Sequence, residues 1–158
     1  MTVAHKAVEE VKQQYLSFML AGEQYGVDVV RVQELKGWDS VTRVPSTPPY
    51  VLGVINLRGA IVPVIDLRIR LHLEQASYGP ATVIVVVRVP GARGERTVGL
   101  VVDAMNSVHD IAPSAIRPPP SLPGKVDDRF LEGIMVEGGK LMLLLDVAAL
   151  VTASIEDG

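Results

Sequence analysis

Apolar and polar positions alternate in strand fashion over most of this chain, and the clearest stretch is Gly53 to Arg68, GVINLRGAIVPVIDLR. Two apolar runs, Val54 to Leu57 and Ile61 to Leu67, flank Arg58-Gly59. Glycine at 59 accepts a positive φ without a Cβ clash, so the pattern predicts a tight strand reversal there. In the second run both faces are apolar, with Ile61 and Ile65 on one and Val62 and Val64 on the other. A strand apolar on both faces belongs between two packed layers. Pro63 cannot donate to a ladder and predicts an edge or a bulge. Asp66 ends the pattern and offers a side-chain cap to a short helix, Leu67 to Leu71.

The same pattern returns 80 positions later. Tyr50-Val51-Leu52-Gly53-Val54-Ile55 faces Phe130-Leu131-Glu132-Gly133-Ile134-Met135, Gly59 faces Gly139, and Asp66 faces Asp146. Ile61, Val62, Val64 and Ile65 fall on Leu141, Met142, Leu144 and Leu145. This ungapped agreement predicts two related halves. Asn56-Leu57-Arg58 faces Val136-Glu137-Gly138, so the architecture does not require an arginine at 58. A functional role is the better account of Arg58.

Elsewhere, residues 1–13 read as a polar, flexible arm. Gln14–Leu20 and Tyr25–Val27 predict a hairpin turning at Ala21-Gly22-Glu23-Gln24. Asp28 is placed to cap a helix from Val29 to about Gln33, and Thr47-Pro48 to open another reaching Tyr50 and Leu52. Thr82–Val89 and Thr97–Val102 predict buried partner strands around a flexible loop, Pro90–Arg96. Ile116–Gly124 is a proline-rich connection. Many short strands and few short helices predict a mainly β fold. With the duplication, one domain over 14–152 is expected, its first barrel at roughly 14–75 and its second at roughly 80–152.

Composition narrows the function. Hydrophobic residues make up 48% of 158, enough for a sizeable core, while aromatics are only 4%. A net charge of -3 and few aromatics exclude a general nucleic-acid binder. No cysteine is present, which excludes disulfides and thiol catalysis. No apolar run approaches the ~20 residues of a membrane helix and no signal peptide is apparent, so a cytoplasmic protein without direct membrane insertion is expected. His5, His72 and His109 stand far apart, without metal-site spacing, and neither cofactor nor metal is predicted. Asp66, Asp103 and Asp146 each follow an apolar strand and read as caps rather than a carboxylate cluster. The charged pair to single out is Glu34 and Arg58. With no catalytic constellation, the sequence points to a protein that works by contact and is not an enzyme.

YGVDVVRVQELKG, GVINLRGAIVPVIDLR, TVGLVVDAMNSV and AIRPPP together resemble the CheW-type chemotaxis coupling proteins over about Gln14 to Leu150. The resemblance implies two intertwined five-stranded SH3-like β-barrels sharing a hydrophobic core. It implies a non-enzymatic adaptor that couples the cytoplasmic tip of methyl-accepting chemoreceptors to the regulatory domain of a chemotaxis histidine kinase. By the same resemblance Arg58, Glu34, Val83, Met105 and Val108 face the receptor, and Val29, Val32, Arg117 and Leu122 face the kinase. Leu122 stands where some members carry phenylalanine, and the 90–96 loop is longer than in short-looped members. A regulatory domain of the kinase itself, or the front of a coupling–receiver fusion, is the alternative with the same fold, and Met1 and the early stop favour the stand-alone form. From a different class, a ligand-binding or catalytic barrel would show activity depending on His72 or Asp66.

Overall fold

The computed structural model describes residues 11–74, 77–119 and 126–156. Its strands, in chain order, are β1 Gln13–Leu20, β2 Glu23–Asp28, β3 Val32–Gly37, β4 Val51–Leu57 and β5 Ala60–Asp66, then β6 Val83–Gly91, β7 Gly94–Val102, β8 Ala104–Ile111, β9 Leu131–Glu137 and β10 Lys140–Leu145. Two short helices, α1 Leu67–Arg70 and α2 Val147–Val151, follow β5 and β10. Asp66 and Asp146 start them as the repeat predicts, accepting from the backbone N–H of Arg68 and Ala149.

The strands form two five-stranded sheets, ordered β8-β1-β2-β10-β9 and β3-β6-β7-β5-β4. Neither sheet follows the expected split into 14–75 and 80–152. The first sheet takes β1 and β2 from one half and β8 to β10 from the other; the second takes the remaining strands. The cause lies in the turns. After Asp28 the short 3-10 turn Val29–Arg31 carries the chain to the other sheet, where β3 pairs with β6. After Asp103 the chain crosses back, and β8 pairs with β1. The halves thus exchange their leading hairpins, and the repeat extends beyond 50–71. β10 runs parallel to β2 with Leu144 opposite Gly26, as β5 runs parallel to β7 with Val64 opposite Gly99.

Each sheet is closed by the chain that continues from one of its edge strands. Thr42 exchanges backbone hydrogen bonds of 2.9 and 2.8 Å with Val54, and Arg117 exchanges 2.9 and 2.8 Å bonds with Ile134. Three apolar cores follow from the alternation. Ile55, Val62, Val64, Ile84, Val86 and Val101 fill one barrel, and Tyr15, Ile111, Met135, Met142 and Leu144 fill the other. The opposite faces of the same strands, among them Leu16, Phe18, Ile65, Val85, Val87 and Leu100, form a larger core between the barrels. β5 and β6 are therefore apolar on both faces because each divides two cores.

Local expectations fail where tertiary pairing outweighs propensity. The helix expected over Val29 to Gln33 stops at Arg31, because Val32 enters β3. No helix starts at Thr47-Pro48; that segment turns directly into β4. The expected 90–96 loop is a regular hairpin, since Val89 pairs with Arg96 and Gly91 with Gly94, leaving Ala92-Arg93 as the turn. Pro63 is not on an edge strand, although it precedes the three-residue parallel pairing that begins at Val64. β8 was not expected at all, because its outer positions Asn106, Ser107 and Asp110 hide the alternation.

Candidate functional site

Arg58 and Glu34 meet. Glu34 lies on β3 and Arg58 in the β4–β5 turn, at opposite ends of the strand order, and closure of the barrel brings Arg58 Nη2 to 2.9 Å from Glu34 Oε1. The Arg58 side chain is 74% exposed and that of Glu34 21%. The contact lacks hydrogen-bond directionality, so Glu34 Oε1, itself shielded from solvent, is held by charge. Arg58 also adopts a φ of 53°, and Gly59 one of 87°, which makes the reversal a type I′ turn. The Asn56 side chain accepts from the Gly59 N–H at 2.9 Å. A left-handed conformation costs a non-glycine residue about 1–2 kcal/mol. The corresponding turn of the second barrel places Gly138 there with a φ of 57°. An arginine in this conformation, projecting its guanidinium into solvent, suits capture of a partner's carboxylates or carbonyls.

Val83 and Met105 both pack, half-buried, against the core between the barrels, while Val108 is 53% exposed. Val83 stands opposite Gly37, near the end of the strand that carries Glu34. Met105 and Val108 are three residues apart, which in a regular strand puts them on opposite faces. A bulge in β8 reverses this. Met105 pairs with Phe18 and Val108 with Leu16, two residues that share one face of β1, so both project to the inter-barrel side.

The other set is dispersed. Val29 and Val32 are half-buried against the shared core, and the exposed apolar residue of that turn is Val30, at 85%. The sequence reading does not single out Val30, because within the helix expected over Val29 to Gln33 nothing marks it as the exposed valine. Arg117 is exposed, its backbone fixed to β9 by the Ile134 bonds. Leu122 lies outside the described residues.

A second group that sequence reasoning missed is a buried charge network. Arg68, fully buried, donates to Asp66 at 3.1 and 3.0 Å and to Asp103 at 2.8 Å. The Tyr78 hydroxyl donates to Asp66 at 2.6 Å, and Trp38 stacks on the Tyr78 ring with centroids 4.3 Å apart. Burial opposes the charge on Arg68, but Asp66 and Asp103 outweigh it and hold its pKa above the ordinary value. Asp103 also accepts from the Ala21 N–H at 2.8 Å, tying the β1–β2 turn of one barrel to α1 of the other. Asp66 is thus a cap and an ion-pair partner, and Asp103 is not a helix cap.

One constellation has the distances of a hydrolytic triad. Ser17 Oγ lies 2.8 Å from His109 Nε2, and Glu137 Oε1 lies 2.8 Å from His109 Nδ1. Ser17, however, is fully buried, and its oxygen is bonded to both backbone groups of Ser107, so no acyl carbon can reach it. Among the described residues no group of histidine, aspartate and glutamate could hold a metal ion, and no helix is long and apolar enough to cross a membrane.

Known proteins match this arrangement along its length. The family model for the CheW-like domain matches residues 14–154. Chemotaxis protein CheW of Klebsiella aerogenes is 39% identical over 152 residues, covering 96% of this chain and 89% of that protein. CheW of Bacillus subtilis is 36% identical, covering 84% and 82%. The crystal structure of the scaffolding protein TtCheW from Thermoanaerobacter tengcongensis superposes with a TM-score of 0.81 at 34% identity, covering 90% of each chain. The two closed sheets are accordingly SH3-like barrels, and the chain belongs to the CheW family of chemotaxis scaffold proteins, which are adaptors and not enzymes.

Proposed function

We propose that this protein couples the cytoplasmic tips of chemoreceptors to the regulatory domain of a chemotaxis histidine kinase, and that it sits in the cytoplasm, held at membrane arrays through these partners. The observation that carries the reading is Arg58, exposed, clasped by Glu34, and kept in a backbone conformation that the repeat gives to glycine. The receptor face comprises Arg58, Glu34, Val83, Met105 and Val108. Here an arginine fork supplies direction, and a bulged strand supplies an apolar surface. The kinase contacts are Val29 on the turn before β3 and Val32 at the start of β3, with Arg117 and Leu122 on the proline-rich connection.

Co-sedimentation with receptor cytoplasmic fragments and with the kinase regulatory domain tests the assignment. Arg58→Ala should weaken receptor binding and spare kinase binding, and Arg117→Asp should do the reverse. Equal loss of both partners in either variant, with circular dichroism unchanged, refutes two separate surfaces.

A further inference from the structure

We propose that His109 is a positioning residue that holds the β8 bulge, and with it the Met105–Val108 surface, through a tie running from Ser17 on β1 to Glu137 on β9. The inference rests on the reading that this surface docks the receptor. Asn106 and Ser107 face Ser17 alone, where a regular strand would place one residue. That extra residue turns Met105 and Val108 to the same side, so whatever holds the bulge holds the surface. The tie is complete. The Ser17 hydroxyl accepts from the Ser107 N–H and lies in donating reach of the Ser107 carbonyl, both at 3.1 Å. His109 Nε2 lies 2.8 Å from Ser17 Oγ and 3.1 Å from Ser107 Oγ. His109 Nδ1 lies 2.8 Å from Glu137 Oε1, and since a carboxylate only accepts, Nδ1 carries a hydrogen.

The position of the tie explains its use. β8 and β9 are the two edges of their sheet, so an edge strand that carries a binding surface has no outer neighbour to hold its register. In the first barrel Glu34, on the equally bulged β3, reaches the tip of the opposite hairpin at Arg58. In the second barrel His109 on the bulged β8 reaches the opposite hairpin at Glu137. The imidazole is 11% exposed and Glu137 51%, so the bond to the fully buried Ser17 is the shielded end of the tie.

The test compares His109→Ala, Glu137→Leu and Glu137→Gln in the full chain, with Val108→Asp as the reference for the surface itself. Affinities for a receptor cytoplasmic fragment and for the kinase regulatory domain are read beside hydrogen exchange at the Ser107 amide. His109→Ala and Glu137→Leu should lower receptor affinity roughly tenfold or more. They should also speed Ser107 exchange and leave kinase affinity unchanged. Glu137→Gln, which keeps an oxygen to accept the Nδ1 hydrogen, should recover most of the affinity. Loss of receptor binding in Val108→Asp alone, with both tie variants like wild type, overturns the role of His109. So does a Glu137→Gln variant as weak as Glu137→Leu, or equal loss of both partners. If Val108→Asp also binds normally, the receptor reading of the face falls and the inference falls with it.

Discussion

Arg58 and Gly138 occupy the same turn position 80 residues apart, with φ angles of 53° and 57°. The fold therefore needs a left-handed residue at both places, and only the first barrel puts a charged side chain there. Arg58→Gly relieves a strain of about 1 kcal/mol, offset in part by the greater freedom of unfolded glycine. The variant should melt at or above the wild-type temperature and yet lose receptor affinity. A clear fall in melting temperature would mean that Arg58 serves the fold.

The Arg58–Glu34 contact is exposed on its Arg58 side, so its loss should cost under ~1 kcal/mol of stability. Covered by a partner it matters more, and Arg58→Ala should weaken receptor binding by roughly 1–3 kcal/mol. Glu34→Ala should show a smaller defect, and Arg58→Lys, which keeps charge without the fork, a partial one. A double-mutant cycle on receptor binding decides whether Glu34 orients Arg58, and strictly additive losses would show that it does not.

Gly133 gives access to the other surface. A Cβ built on it would lie 2.7 Å from the Arg117 carbonyl oxygen, closer than van der Waals contact permits. Gly133→Ala should push the Arg117 segment off β9 and weaken kinase binding while receptor binding persists. Backbone exchange at Arg117 and Ile134 measures the opening directly, and unchanged protection there would refute it.

The buried network should behave as one unit. Asp66→Ala leaves Arg68 partly uncompensated and removes the α1 cap, and loss of one partner from a buried pair costs about 3–5 kcal/mol. Leu144→Ala, in the core of the other barrel, should cost about 2–5 kcal/mol through its cavity alone. Urea denaturation monitored by Trp38, the sole tryptophan, measures both.

Alkaline stability should depend on tyrosines. Burial, and then the hydrogen bond to Asp66, push the Tyr78 pKa up to about 12; burial and Glu23 do the same for Tyr25. Burial and Glu132 raise Tyr15 as well. A tyrosine that holds its proton more tightly when folded contributes stability that is complete below the unfolded pKa of ~10. That contribution is lost as pH rises from there through about 12. Urea midpoints should fall across this window, and less steeply in Tyr78→Phe. An identical slope in the variant would remove Tyr78 from the account.

Much of this protein is written in local pattern. Period-two alternation and the 80-residue echo are enough for the β4–β5 and β9–β10 hairpins, the positive φ at Gly59, and the caps at Asp66 and Asp146, because each depends on residues a few positions apart. Arg58 stands out because its partner in the repeat is glycine, and Glu34 as the other member of the charged pair, to which family resemblance adds a role. The tertiary structure alone decided the rest. The exchange of hairpins between the halves depends on turns at Asp28 and Asp103 whose direction no local pattern encodes. Arg68 is buried because Asp66, Asp103 and Tyr78 surround it, and Asp103 and Tyr78 come from outside its own hairpin. Ser17, His109 and Glu137 are far apart in sequence; the pairing of β1 with β8 joins the first two, and barrel closure brings Glu137 to them. Whether Met105 and Val108 share a face turns on one extra residue in β8. A bulge is set by what packs against it from other strands, and that is information the order of residues along β8 does not carry.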